Sequence, residues 1–227
     1  MVLTRNEILN DISEGQILFE PMIDGFQLQP HAVDLRLGKD FFIPKKWRLT
    51  KKGREAIIID PFDYTDSESY ESLELKFGQY FELLPGEFVI AKTLEKIELN
   101  SQKLMAVLFP RSSINRRGLA VDLSGIIDTG YKGWLMIPIM NNTSKQVIRI
   151  YPGERICQIV FQELSSSLSL EEINMHGLQR ARYSGSEKGF VGGKPDKRLE
   201  VDLIKSGKIS QLKSKYKLNL KQKTKKV

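Results

Sequence analysis

Three short segments of this chain carry side chains suited to handling a nucleotide. Phe109-Pro110-Arg111-Ser112-Ser113 sets a guanidinium beside two hydroxyls. Gly125-Ile126-Ile127-Asp128-Thr129-Gly130-Tyr131-Lys132-Gly133 holds a single acid between glycines and next to an aromatic ring. Pro152-Gly153-Glu154-Arg155-Ile156-Cys157-Gln158 places an amide inside an apolar run. Arginine can fork two N–H donors onto a phosphate, and serine hydroxyls add short bonds to its oxygens. One carboxylate beside an aromatic wall suits the activation of a water against a bound nucleotide. Residues Ile114 to Leu119 continue the first segment as a short helix, whose free N-terminal amides favour an anion. Gly125, Gly130 and Gly133 let the backbone of the second segment approach a flat ligand closely. Gln158 sits where an apolar residue would be cheaper, so its amide must be paired with backbone or with phosphate. Asp34, within His31-Ala32-Val33-Asp34-Leu35-Arg36-Leu37-Gly38, is an expensive lone carboxylate in a strand-like run. It reads either as a hydrogen-bond partner for a nearby loop or as a contact to a metal–phosphate site. Taken singly, Arg111-Ser112-Ser113 also reads as a capped helix with a solvated face, and Asp128 as a turn cap.

The elements that must position these groups are mostly strands. Thr4-Arg5-Asn6-Glu7 fits a capping box, predicting a short helix that ends near Gly15. Strand-like runs follow at Val33 to Gly38, Ala56 to Ile59, Gln79 to Leu84, Glu87 to Ala91, Leu104 to Phe109, Trp134 to Met140, Gln146 to Tyr151 and Arg155 to Phe161. Many short strands separated by Gly, Pro, Asn and Asp predict an all-β sandwich or barrel of jelly-roll type. Asp60 to Glu74 is polar, acidic and without clear period, and reads as a surface loop. Arg180 to Pro195 is rich in Gly and Ser and reads as a mobile arm. The resulting division is a β domain over 1–178, a glycine-rich arm over 179–195 and a basic tail over 196–227.

Composition narrows the chemistry. The 227 residues suffice for one substantial domain with extensions. No apolar run approaches the roughly 20 residues that span a bilayer, and the N-terminus lacks a signal-peptide apolar core, so a cytoplasmic protein is the expectation. The single cysteine, Cys157, excludes an intrachain disulfide, and with only two histidines there is no ligand set for zinc-dependent deamination. The net charge of +7 is uneven: residues 196–227 hold 11 Lys/Arg against 3 Asp/Glu, leaving the rest at −1. Such a tail can hold nucleic acid by counterion release, or simply be a solvated helix end. Ile204, Ile209, Leu212 and Tyr216 recur at helical spacing, which suggests an amphipathic helix docking on the body.

Together the three segments resemble the trimeric dUTP diphosphatase and dCTP deaminase superfamily, from Thr4 to about Lys194. Leu84-Pro85-Gly86-Glu87-Phe88-Val89-Ile90-Ala91-Lys92-Thr93-Leu94-Glu95, Arg116-Arg117-Gly118-Leu119 and Arg182-Tyr183-Ser184-Gly185 resemble the deaminase branch in particular. The resemblance implies a distorted jelly roll of the dUTPase type, with a short N-terminal helix, a C-terminal arm and a basic helical tail. It implies a homotrimer with sites shared between subunits, and a deoxyuridine or deoxycytidine triphosphate substrate. Asp128 would orient or activate the attacking water. Arg111, Ser112, Ser113 and Gln158 would hold the triphosphate, Arg116 would lie near the base, and Ile127 would contact the nucleotide. Tyr131 would pack on the sugar and exclude a 2′-hydroxyl. From the arm, Tyr183 and Phe190 would close the site; the arm lacks the diphosphatases' Ser-Thr pair and their arginine, whose place Arg182, Lys188 or Lys194 would take. Mg2+ would be held through the phosphates, with Asp34 reaching it through a water.

The same resemblance marks two departures. The deaminases carry a glutamate five residues beyond the glycine equivalent to Gly133, where this chain has Pro138, and a glutamine after the arm tyrosine, where this chain has Ser186. Proline cannot shuttle a proton. The expectation is therefore a Mg2+-dependent dUTP diphosphatase that yields dUMP and pyrophosphate, with deamination unlikely. Two alternatives stay open: a dCTP deaminase using another acid, such as Glu154 or Glu187, and a nucleotide-binding regulator without chemistry whose tail contacts nucleic acid.

Overall fold

The computed structural model describes residues 1–60, 69–121, 125–176, 179–180 and 196–217. Thr4 caps α1 (Arg5–Ser13) through the expected box: the Thr4 amide and hydroxyl both donate to the Glu7 carboxylate, at 2.7 and 2.8 Å. Ile8 anchors this helix in the core, and Gly15 ends it in a left-handed conformation (φ 73°).

The chain then runs through β1 (Ile17–Glu20), β2 (Val33–Pro44), β3 (Trp47–Thr50), β4 (Gly53–Ala56), β5 (Tyr70–Glu74), β6 (Phe81–Leu83), β7 (Phe88–Leu99) and β8 (Leu104–Pro110). After α2 (Ser112–Asn115) come β9 (Leu119–Val121), β10 (Ile126–Ile127), β11 (Lys132–Asn141), β12 (Ile148–Ile150) and β13 (Arg155–Glu163). The remaining elements are α3 (Leu170–Asn174), the short pair β14 (Met175–His176) and β15 (Gln179–Arg180), and the tail helices α4 (Arg198–Lys205) and α5 (Ile209–Lys215).

The main sheet is antiparallel, in the order β10-β8-β13-β2-β7-β11-β9, with β1 added to β7 and β5 added to β2. It curls because β2 serves two halves: its first residues pair with β13 and its later ones with β7 and β5. Alternation explains which side faces in. Along β7 and β11 every second residue is buried, and Val89, Ala91, Ile97, Ile137 and Ile139 have no exposed surface. Phe41, Leu35, Leu37, Ile159 and Phe161 complete the same core from β2 and β13, and Phe41 stacks on Phe81 at 5.2 Å between centroids.

The expected all-β fold with a short N-terminal helix is what the chain adopts, and several boundaries differ from the sequence reading. The Ala56 to Ile59 run is not a strand: β4 ends at Ala56, and Ile58 and Ile59 are exposed beyond it. The end of the acidic 60–74 segment is a strand, β5, because its backbone pairs with Asp40 to Pro44 of β2; residues 61–68 lie outside the described residues. The tail forms two helices rather than one, since Gly207 takes a left-handed conformation (φ 71°) between them. Val201 is buried, while Ile209 and Tyr216 stay largely exposed. Among the described residues no helix is long and apolar enough to cross a membrane.

One glycine is required by the sheet itself. Register shifts between Leu37 and Phe41, and there β2 passes so close to β7 that a Cβ on Gly38 would lie 2.7 Å from the Lys92 carbonyl oxygen. That oxygen is backbone and cannot rotate away. Gly38→Ala should therefore destabilise the fold by about 1–3 kcal/mol, read as a lower urea midpoint with an unchanged slope. An unaltered midpoint would show that the two strands can separate locally without cost.

Candidate active site

The Arg111 segment is built around Asp34. Its side chain is only 1% exposed, yet it carries four donors. Arg111 Nε and Arg155 Nη1 each lie 3.1 Å from Oδ2, Gln29 Nε2 donates to Oδ2 at 3.3 Å, and Gln158 Nε2 donates to Oδ1 at 2.9 Å. These partners come from the start of α2, from β13 and from the loop before β2. Pairing makes the buried charge tolerable, and in return it fixes where both arginines point. Arg111 is gripped further: Nη1 donates to the Arg155 carbonyl at 3.0 Å, and its backbone N–H to the Ile156 carbonyl. Ile114, fully buried, pins the turn of α2 that follows. Ser112, Ser113 and Arg116 stay exposed on its outer side.

Beneath this cluster lies a second buried acid that the sequence reading did not select. Glu95 on β7 accepts from Gln27 Nε2 at 2.7 Å and from the Arg36 backbone N–H at 2.9 Å, and the same Gln27 amide donates to the Asp34 carbonyl. Burial pushes the Glu95 carboxyl above its ordinary value, with those hydrogen bonds pulling the other way. The signal available in sequence was an acid in the alternating series Val89, Ala91, Thr93, Glu95, Ile97 and Leu99, the buried face of β7. Burial likewise pushes the Cys157 thiol up, consistent with an inert core thiol.

Asp128 opens a tight turn. Tyr131 N–H donates to the Asp128 carbonyl at 3.1 Å, and Gly130 takes the positive φ (78°) that the third position requires. Ile173 of α3 packs so closely on Gly130 that a Cβ there would lie 2.4 Å from Cγ2. The Asp128 side chain is exposed while Thr129 is buried. Tyr131 turns its hydroxyl back to donate to the Trp134 carbonyl at 2.8 Å, across Gly133, and burial pushes its pKa up to about 12. Ile127 is 2% exposed, so its side chain belongs to the core and only backbone there could meet a ligand.

Within one protomer these two clusters are apart. Ile127 pairs with Ala106 on β8, whereas Arg111 follows the other end of that strand. At about 3.3 Å per residue, Asp128 and Arg111 are separated by roughly 20 Å. Gln158 gives one amide N–H to Asp34 and stays half-buried, so its second N–H and its carbonyl are not used by that bond. Asp34 does not fit the Mg2+ role: its enclosed carboxylate has no surface on which to meet a metal-bound water. Among the described residues no cluster of three His, Cys, Asp or Glu could hold a metal ion. Arg182, Tyr183 and Phe190 lie outside the described residues, as do Ser186 and Glu187.

Residues 2–164 match the family model described as dCTP deaminase-like. The chain belongs to the dCTP deaminase-like family. A relative from Methanosphaera stadtmanae, named "dCTP deaminase, dUMP-forming", is 34% identical over 91% of this chain and 99% of its own length. Another of the same name, from Dictyoglomus thermophilum, is 36% identical over 90% of this chain and 98% of its own. The crystal structure of 2′-deoxycytidine 5′-triphosphate deaminase from Agrobacterium tumefaciens shares the fold, with a TM-score of 0.55 at 22% identity. That match covers 72% of this chain and 49% of the solved one, so this chain spans about half the length of that structure.

These relatives overturn the expectation of a plain dUTP diphosphatase with deamination unlikely. That reading rested on two positions, Pro138 in β11 and Ser186 in the arm, the second of which lies outside the described residues. Pro138 sits on the half-buried face of β11 opposite Ile90, with Trp134, Met136 and Met140.

Both buried acids can be probed through stability. Asp34→Ala leaves two arginines without their counter-charge and should cost about 3 kcal/mol of stability; a loss below experimental error would show that the cluster relaxes into solvent. For Glu95, the raised folded pKa means that the folded chain holds its proton to higher pH than the unfolded one. Its stabilising contribution is therefore complete below about 4.5 and declines as pH rises through the folded value. Glu95→Gln does not titrate, so its stability relative to the parent should increase from acid toward neutral pH. A difference that stays flat with pH would place Glu95 in an environment as solvated as the unfolded chain.

Proposed function

We propose that this chain converts dCTP to dUMP, releasing ammonia and pyrophosphate and consuming two waters, in sites completed between subunits of a homotrimer. The observation that carries the choice of reaction is the likeness to dUMP-forming dCTP deaminases over almost their whole length. Arg111, fixed by Asp34, presents its remaining guanidinium edge beside the exposed Ser112 and Ser113 hydroxyls, a donor set matched to phosphate oxygens. Arg116 extends the set toward the base. Asp128 orients a water, and the Tyr131 ring packs on the deoxyribose. Because roughly 20 Å of β8 separates Asp128 from Arg111 in one protomer, the acid facing each triphosphate comes from a second copy. The arm residues Arg182, Tyr183 and Phe190 are assigned by resemblance to closing the site. Mg2+ enters only as the counter-ion of the triphosphate, since the described residues offer no enclosed carboxylate set for it.

With Pro138 where the deaminases carry glutamate, the proton relay falls to another carboxylate. Glu154 suits this role. Its Oε1 accepts from Arg117, next to Arg116, and its Oε2 is the buried side-chain polar atom left without a hydrogen-bond partner among the described residues. Deamination adds water across C4, moves a proton to the leaving amine and expels ammonia. A second water then attacks the α-phosphorus, and pyrophosphate leaves.

The purified protein should therefore release ammonia from dCTP and yield dUMP. Glu154→Gln should suppress ammonia release while dUTP is still converted to dUMP; equal loss of both would assign Glu154 to holding α2. Absence of ammonia from dCTP would overturn the deaminase reading. Asp128→Asn and Arg111→Ala should each be inactive alone and recover part of the activity when subunits are mixed. No recovery would mean that each site is built within one chain.

A further inference from the structure

The strands β3 and β4 form a hairpin that pairs with no other strand among the described residues. Both of its faces are largely exposed, so it has no core of its own, and an isolated two-stranded ribbon is marginally stable. Its charge is one-sided: residues 45–56 contain Lys45, Lys46, Arg48, Lys51, Lys52 and Arg54 against the single acid Glu55. Glu55 is itself neutralised by Arg48 at 3.7 Å. Lys51 and Lys52 form the two-residue tip, where Thr50 Oγ1 accepts from the Lys52 N–H.

The pairing register sorts the side chains. Trp47 and Leu49 lie on one face with Ala56 and Arg54 opposite them. Trp47 is 45% exposed and Leu49 76% exposed, and the Arg54 guanidinium stands 4.9 Å from the Trp47 ring centroid. An indole backed by a guanidinium is a platform on which a nucleobase can stack, and the lysines around it track a phosphate backbone. Trp47 and Leu49 are the only large apolar side chains of the hairpin against six cations, too little apolar surface to anchor in lipid and enough to stack one base beside a phosphate backbone. The second basic element is brought to the foot of the same hairpin. Lys205 of α4 pairs with Asp60, four residues beyond the end of β4, at 3.4 Å. Residues 196–217 hold seven Lys/Arg against three Asp/Glu. The hairpin carries +5 and residues 196–217 carry +4. The hairpin begins three residues past the end of β2, ten residues from Asp34 to Pro44, or roughly 30 Å from the nucleotide cluster.

We propose that the β3–β4 hairpin, with α4 at its foot, is a binding site for single-stranded nucleic acid, separate from the nucleotide site. The test titrates labelled single-stranded DNA into the full-length protein over a range of salt. Binding should weaken steeply with salt, and Lys51→Ala/Lys52→Ala should lower the slope of log K against log[salt] by about 1.4, near 0.7 for each phosphate that is no longer neutralised. Trp47→Ala should weaken binding about tenfold at fixed salt. In all variants turnover of nucleotide triphosphate should be unchanged, which also shows that they fold. Absence of binding at low salt, or equal binding and equal slope in the variants, would overturn the proposal. So would preferential binding to vesicles of anionic phospholipid that excess single-stranded DNA does not displace.

Discussion

The arrangement depends most on a single buried carboxylate. Asp34 draws β2 together with β13, the loop before β2 and the residue that starts α2, and each of these three contributes a donor to its two oxygens. A charge so enclosed is intolerable alone and acceptable only when fully paired. The consequence runs outward. Arg111 cannot swing freely, α2 must begin where Arg111 is held, and the serine hydroxyls that follow are delivered to the surface side by side. The ion cluster is thus a positioning device as much as a stabilising one, with Glu95 and Gln27 bracing it from below.

The second constraint is length. A β-strand advances about 3.3 Å per residue, and β8 is long enough to keep the Asp128 turn and the Arg111 segment at opposite ends. No rotamer change closes that gap. The Asp128 turn is nonetheless tightly shaped: Gly130 admits both a left-handed backbone and the close approach of Ile173, and Gly133 admits the Tyr131 ring. The turn is thus held from both sides while the Asp128 side chain stays exposed. The β3–β4 hairpin adds a separate concentration of positive charge, six Lys/Arg against one acid over residues 45–56.

The fold class, and those parts of the site that are local, could be read directly from the chain. Alternation along Leu104 to Phe109 and Trp134 to Met140 marks half-buried strands, because side chains on a strand alternate by geometry whatever they pack against, whereas Val33 to Gly38 is buried on both faces. The capping box at Thr4 and Glu7 and the glycine-bounded turn at Asp128 are likewise short-range, so their residues suffice to announce them. Arg111, Ser112, Ser113 and Asp128 stood out for the same reason.

How those parts relate emerged only on folding. That Gln158 gives its amide to Asp34, that Glu95 lies beneath them, and that Ile127 faces the core depend on which strands become neighbours, a pairing set by contacts between residues far apart in the chain. The end of the 60–74 segment became a strand because β2 offered it a free edge, which no local pattern encodes. The same holds for the missing acid at position 138. A strand's sequence states what that strand lacks, whereas a site assembled from several loops takes its chemistry from whatever the fold brings near.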